Sequence, residues 1–283
     1  MAYETILYDV KDRVATITLN RPEKMNALSR KLQEEVVAAL KEGEASPEVH
    51  CFIIKGAGRC FSAGYDLTPQ PRPEGQEHMA RRRSITDDIA NLRGTVERWQ
   101  TIWNLRKPVI AQVHGYCLAG GNDLIGVCDI IIAAEDAIFG HPQVRAFGLN
   151  MVHTEPFRMG PTRSKYMLLT GFNLSGVEAS QWGLATKAVP KEHLEAEVQR
   201  IAGAMAQIPP ALLEVNKFAV NRAFEIMGIR QATQAAIEFD AIVHFEDSCR
   251  EFQEMLQREG VTRTLTRRDA PFNDYRTAQR KPR

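Results

Sequence analysis

Short apolar runs alternate with longer stretches whose apolar residues recur at helical spacing, and the two periods predict different elements. Residues 6–10 and 14–19 read as two strands joined by the polar turn Lys11-Asp12-Arg13. A turn-rich link follows over residues 20–28. Ser29 then caps a helix whose Leu32, Val36, Val37 and Leu40 form one apolar stripe. Residues 49–54 read as a buried strand ending at Gly56-Ala57-Gly58, and residues 59–67 carry a glycine turn behind it. Prolines dominate from Thr68 to Gly75, which predicts an irregular, mobile loop. A helix follows from about Ile85 to Leu105.

Pro108 opens the next strand, residues 109–113, and Gly115 ends it. From about Gly120 the spacing of Leu124, Ile125 and Cys128 predicts a helix. Residues 130–134 and 137–139 read as short strands. The recurring order of strand, strand and helix predicts a repeating unit, although no repeat exists at the level of residue identity. Residues 140–160 are less regular and dense in functional side chains: His141, Gln143, Arg145, His153, Glu155 and Arg158. Beyond them the pattern predicts a helix over 164–169 closed by Gly171, a short helix started by Ser175 or Ser180, and a strand that Pro190 ends. Helices then fill residues 193–205, 211–227 and 232–256. Composition shifts at Pro209-Pro210, so an α/β core over residues 1–208 and a helical part over 209–283 are expected.

At 283 residues the chain can bury a sizeable core. A net charge of +1 gives no global field that would draw it to nucleic acid or a membrane surface. Basic clusters at Arg81-Arg82-Arg83 and in the C-terminal tail read as solvated faces or local anion contacts. Cys51, Cys60, Cys117, Cys128 and Cys249 are scattered and unpaired in spacing, which argues against a disulfide framework and a zinc site and fits a reducing cytoplasm. No run is long enough to span a bilayer, and the polar N-terminus is unlike a signal peptide.

The chemistry concentrates at the strand-to-helix turn. Gly120 and Gly121 let a ligand approach the backbone closely, and free N–H groups at a new helix N-terminus favour negative charge. An oxygen turning anionic during a reaction fits such a place, with Asp123 one turn inside. A tight turn with close packing accounts equally well for the glycines by residue type alone. The spacing of Gly115, Gly120 and Gly121 breaks the G-x-G-x-x-G pattern, and no G-x-x-x-x-G-K-[ST] occurs, which excludes the usual nucleotide-phosphate cradles.

Four segments in order carry a resemblance: residues 20–28 (Asn-Arg-Pro-Glu-Lys-Met-Asn-Ala-Leu), 61–67 (Phe-Ser-Ala-Gly-Tyr-Asp-Leu), the stretch 113–129, and 137–143 (Ala-Ile-Phe-Gly-His-Pro-Gln). Together they resemble the crotonase superfamily of enoyl-CoA hydratases and isomerases. The resemblance implies an α/β fold, a spiral of ββα units with a helical C-terminal domain used in trimer assembly, as a trimer or dimer of trimers. It also implies a CoA-thioester substrate, with coenzyme A as part of the substrate and no separate cofactor. The main-chain N–H groups of Tyr65 and Gly120 then form the oxyanion hole, and the side chain at position 65 matters less because the amide is the donor. Ala63, Asp66 and Leu67 would line the CoA site.

The carboxylates depart from the family pattern of two glutamates. Asp123 stands at the first position, one methylene shorter, and Gln143 at the second. Glutamine can orient a water but cannot take its proton. His153 and Glu155 are candidates to restore an acid or base, against the plainer reading of an altered loop with surface polar residues. His141 and His114 read as structural, and Trp99 or Trp103 as part of an unusual acyl pocket or simply core. A hydratase-type lyase is the expected activity. An isomerase, a C–C bond hydrolase, and a non-catalytic acyl-CoA binder are the alternatives.

Overall fold

The computed structural model describes residues 3–68 and 84–274. Of the proline-dominated stretch only Thr68 falls among them; residues 69–75 and the cluster Arg81-Arg82-Arg83 lie outside the described residues.

Strands β1 (Ile6–Lys11) and β2 (Val14–Leu19) form an antiparallel hairpin, and α1 (Arg30–Ala45) follows with the Ser29 side chain accepting from the Leu32 N–H. β3 (Cys51–Gly56) lies parallel to β2, and β4 (Val109–Val113) parallel to β3. Between them runs α2 (Ile85–Asn104), which Ser84 and Asp87 close with a reciprocal capping box. β6 (Ile130–Ala134) and β9 (Lys187–Val189) complete the large sheet, in the order β1-β2-β3-β4-β6-β9. A second sheet joins β5 (Tyr116–Leu118), β7 (Ile138–Gly140) and β8 (Leu174–Ser175). Successive passes thus place one strand in the large sheet and the next in the small one: β4 then β5, and β6 then β7. That alternation is the physical form of the repeating unit.

β3 and β4 are buried nearly throughout, which explains their unbroken apolar runs. α7 (Leu194–Ala206) packs across β3, β4 and β6. Trp99, the largest fully buried side chain, seals the space under α2. Short helices α3 (Gly120–Gly126), α4 (Glu155–Met159), α5 (Pro161–Thr170) and α6 (Gly176–Trp182) link the strands, with Ser175 as the cap of α6. From Pro210 the described chain is helical: α8 (Pro210–Ile226), α9 (Ile229–Val243) and α10 (Asp247–Asp269). No helix among the described residues is long and apolar enough to cross a membrane.

Two expectations change. The continuous helix over 232–256 is two helices, broken at residues 244–246, where His244 Nδ1 meets Asp88 Oδ2 of α2 at 2.6 Å. β5 was not foreseen, because three residues between Gly115 and Ala119 become a strand only by pairing with β7 and with Ser62, both distant in sequence.

Candidate active site

The two glycine turns meet. The chain leaving β3 runs beside β5: Ser62 N–H donates to the Tyr116 carbonyl at 2.9 Å, and Leu118 N–H donates to the Ser62 carbonyl at 3.0 Å. Gly64, at φ +99°, abuts the second turn so closely that a Cβ there would lie 2.8 Å from Ala119 Cβ and 3.4 Å from the Gly120 nitrogen. Only glycine fits that approach. Ala119 holds a strained backbone (φ 48°, ψ −117°) as the chain turns into α3. Asn122 pins the turn, its Nδ2 donating to the carbonyls of Cys117 at 3.0 Å and Gly140 at 2.8 Å. Tyr65 and Gly120 therefore stand side by side. As first residue of α3, Gly120 has its N–H outside the helix's own ladder. The Tyr65 ring lies across Gly120, where an added Cβ would be 2.7 Å from it.

Asp123 follows in the first turn of α3, 2% exposed. Its Oδ2 accepts from the Tyr65 hydroxyl at 2.9 Å and its Oδ1 from the Val152 N–H at 3.3 Å. The Trp99 indole N–H in turn donates to the Tyr65 oxygen at 3.0 Å. Burial pushes the Asp123 carboxyl up to about 7, assisted by the nearby Glu155 charge and opposed by His141, the Tyr65 hydroxyl and the Val152 N–H. The side chain of Tyr65 thus hydrogen-bonds Asp123, a contact that the reading of position 65 through its amide alone did not include.

Glu155 is the opposite case. It is equally buried, not a surface residue, and burial alone would raise its pKa; the His141 ring and its hydrogen bond outweigh that and hold it below the ordinary glutamate value. His141 Nε2 lies 2.8 Å from Glu155 Oε1, and Asn150 Nδ2 donates to Glu155 Oε2. Both Glu155 oxygens are thus engaged within the protein. Two buried carboxyls with environments that push them apart identify the one that titrates near neutrality, and that is Asp123.

Gln143 is 7% exposed on the turn after β7. Its Nε2 donates to the Leu149 carbonyl at 3.2 Å and faces His141 Nδ1 at 3.1 Å. Leu149's carbonyl can only accept, which fixes the amide orientation of Gln143. Gln143 Oε1 is left buried with no partner among the described residues. His153 has no hydrogen bond to Asp123 or Gln143 among the described residues: its backbone N–H donates to Asn150 Oδ1 at 3.4 Å, and it lines a cavity with Phe147, Leu149, Leu168 and Val243. Its Nδ1 is buried without a partner among the described residues. Ala63, Asp66 and Leu67 flank Tyr65, and Asp66 is held by Arg21 at 2.9 Å, which ties this loop to the 20–28 link. His114 Nε2 meets the Gly58 carbonyl at 2.9 Å. Asn150 and the Arg21–Asp66 pair had no signal in the sequence pattern.

The profile of the enoyl-CoA hydratase/isomerase family matches residues 9–275. The chain belongs to that family. It is 34% identical over 228 residues to a probable enoyl-CoA hydratase of Mycobacterium bovis, covering 80% of this chain and 84% of the relative. It is 33% identical to the crotonyl-CoA hydratase of Syntrophomonas wolfei, covering 96% of this chain and 99% of that one. Among solved structures, an enoyl-CoA hydratase from Mycobacterium smegmatis superposes with a TM-score of 0.91 at 31% identity, covering 97% of this chain and 96% of that one. The crotonase fold and an enzyme of the enoyl-CoA hydratase/isomerase family are therefore shown. Within this family member the candidate residues Tyr65, Gly120 and Asp123 lie together where the two glycine turns cross.

Proposed function

We propose that the protein adds water across the double bond of an enoyl-CoA thioester. The observation that carries this reading is the Asp123 carboxyl, buried beside the paired Tyr65 and Gly120 turns and balanced to gain or lose a proton near pH 7. The Tyr65 and Gly120 N–H groups hold the thioester oxygen as charge develops on it, a contribution of about 2.7–4 kcal/mol for one such donor. Water oxygen bonds to C3 while one water proton passes to Asp123; the C2–C3 π electrons move toward the thioester oxygen. Asp123 then returns the proton to C2, leaving a 3-hydroxyacyl-CoA. The unpartnered Gln143 Oε1 accepts a hydrogen bond from the water and orients it. Ala63, Asp66 and Leu67 line the CoA side of the site. Coenzyme A arrives as part of the substrate, and the chemistry calls for no separate cofactor.

A second reading follows from Gln143, which is not a base: a lone Asp123 can carry a proton between C2 and C4 and shift a double bond. Crotonyl-CoA and a 3-enoyl-CoA tested side by side decide between them. Formation of 3-hydroxybutyryl-CoA supports hydration. Conversion of the 3-enoyl to the 2-enoyl ester without water uptake refutes it in favour of isomerisation.

The part over residues 209–283, helical from Pro210 where it is described, serves trimer assembly in this reading. Its α8 and α9 leave Leu212, Val215, Val220, Ile226 and Phe239 more than half exposed, apolar area that a second copy would cover.

A further inference from the structure

We infer that Tyr65 is a positioning residue for Asp123: its hydroxyl, fixed by the Trp99 indole, engages carboxylate oxygen Oδ2 and leaves Oδ1 to exchange the proton. The inference rests on the acid/base role of Asp123 proposed above. Trp99 is fully buried on α2, and its indole N–H, which can only donate, reaches the Tyr65 oxygen at 3.0 Å. The phenol must therefore accept from Trp99, and its own proton points at Asp123 Oδ2, 2.9 Å away. Burial and the Asp123 charge hold the phenol well above its ordinary value, so it stays a donor. A proton on Oδ2 would meet the phenol proton head on. Among the described residues Oδ1 carries only the longer contact from the Val152 N–H, 3.3 Å, and takes the proton with least rearrangement.

The titratable groups that face Asp123 are Tyr65 from the loop after β3, Cys117 from β5, His141 after β7 and Glu155 from α4. Of these, Tyr65 alone hydrogen-bonds the carboxyl among the described residues. A two-glutamate site holds its water and its acid with a pair of carboxylates. Here the tyrosine takes over the orientation of the single carboxyl, and the position of the second glutamate is left to the neutral Gln143.

Tyr65→Phe keeps the ring against Gly120 and removes only the hydroxyl. Titration of Asp123 by ¹³C NMR of aspartate-labelled protein, assigned with Asp123→Asn, should show a midpoint about one to two pH units higher in Tyr65→Phe. An unmoved midpoint overturns the inference. Hydration of crotonyl-CoA at about pH 7 should fall about five- to fifty-fold at nearly unchanged KM and recover above about pH 9; no loss, or a loss that alkali does not restore, overturns it too. Trp99→Phe frees the hydroxyl to turn and should move the midpoint up by less than Tyr65→Phe does; a larger move contradicts the assigned order. A wild-type protein that hydrates no enoyl-CoA counts against the hydratase reading alone, since the NMR midpoint decides the inference without turnover.

Discussion

Replacing Asp123 with asparagine should inactivate the enzyme and stabilise the fold, with the stabilisation appearing only as pH rises. The carboxyl is 2% exposed, and burial lifts its pKa from 3.8 to about 7. Below about pH 4 it is protonated in folded and unfolded chains alike, so ionisation costs the fold nothing. Between about pH 4 and 7 the unfolded chain gives up this proton while the folded chain keeps it. Stability then falls by about 1.4 kcal/mol per pH unit. Above about pH 7 both forms are ionised and the cost levels off at about 4 kcal/mol. Asparagine escapes that cost. Both carboxylate oxygens accept from donors, Tyr65 and Val152, so the new NH₂ must face one of them and lose a hydrogen bond. That loss is about 1 kcal/mol, which leaves a net gain of about 3 kcal/mol at about pH 8 and almost none near pH 5. Urea unfolding of wild type and variant across this range measures the difference, and crotonyl-CoA hydration should fall by about 10²–10⁴-fold. A variant less stable than wild type at about pH 8, or a difference that does not vary with pH, would refute burial as the origin of the raised pKa. Full activity would remove Asp123 from the chemistry.

Gly120→Ala places a methyl group 2.7 Å from the Tyr65 ring, which must swing away from both the hole and Asp123; steady-state kinetics should show a loss of at least about 10²–10³-fold in kcat, the scale of one oxyanion donor. Gln143→Glu adds a second buried carboxyl in place of the amide that donates to Leu149, so it should unfold at lower urea above about pH 7 while raising the hydration rate of simple enoyl-CoA esters wherever it stays folded. Sedimentation at micromolar concentration should show a trimer or a dimer of trimers, and a monodisperse monomer would contradict the role given to α8 and α9.

The hydrophobic pattern was enough for the strand hairpin, α1 with its Ser29 cap, α2 ending before Pro108, and the turn that opens α3, because each is specified by local periodicity and capping residues. The same local information ran out at β5 and at the break between α9 and α10. One is a strand only through partners far along the chain; the other is interrupted where His244 meets Asp88 on a different helix. The site divides along the same line. Gly120 and Asp123 were singled out from a local glycine turn with an acid one helical turn inward, and Tyr65 only through the family resemblance. Whether Glu155 or Asp123 titrates near neutrality was not, because that depends on which carboxyl His141 and Asn150 engage and which is left to burial. Nor could the chain alone tell that the tyrosine hydroxyl reaches Asp123, or that Trp99 stands behind it: three residues from a loop and two helices converge only when the ββα turns stack. Sequence by itself determined the locally patterned elements and the family resemblance; tertiary packing decided β5, the α9–α10 break, and the protonation and contacts of Tyr65, Asp123 and Glu155, because those energies arise from desolvation and hydrogen bonds between segments that no local pattern joins.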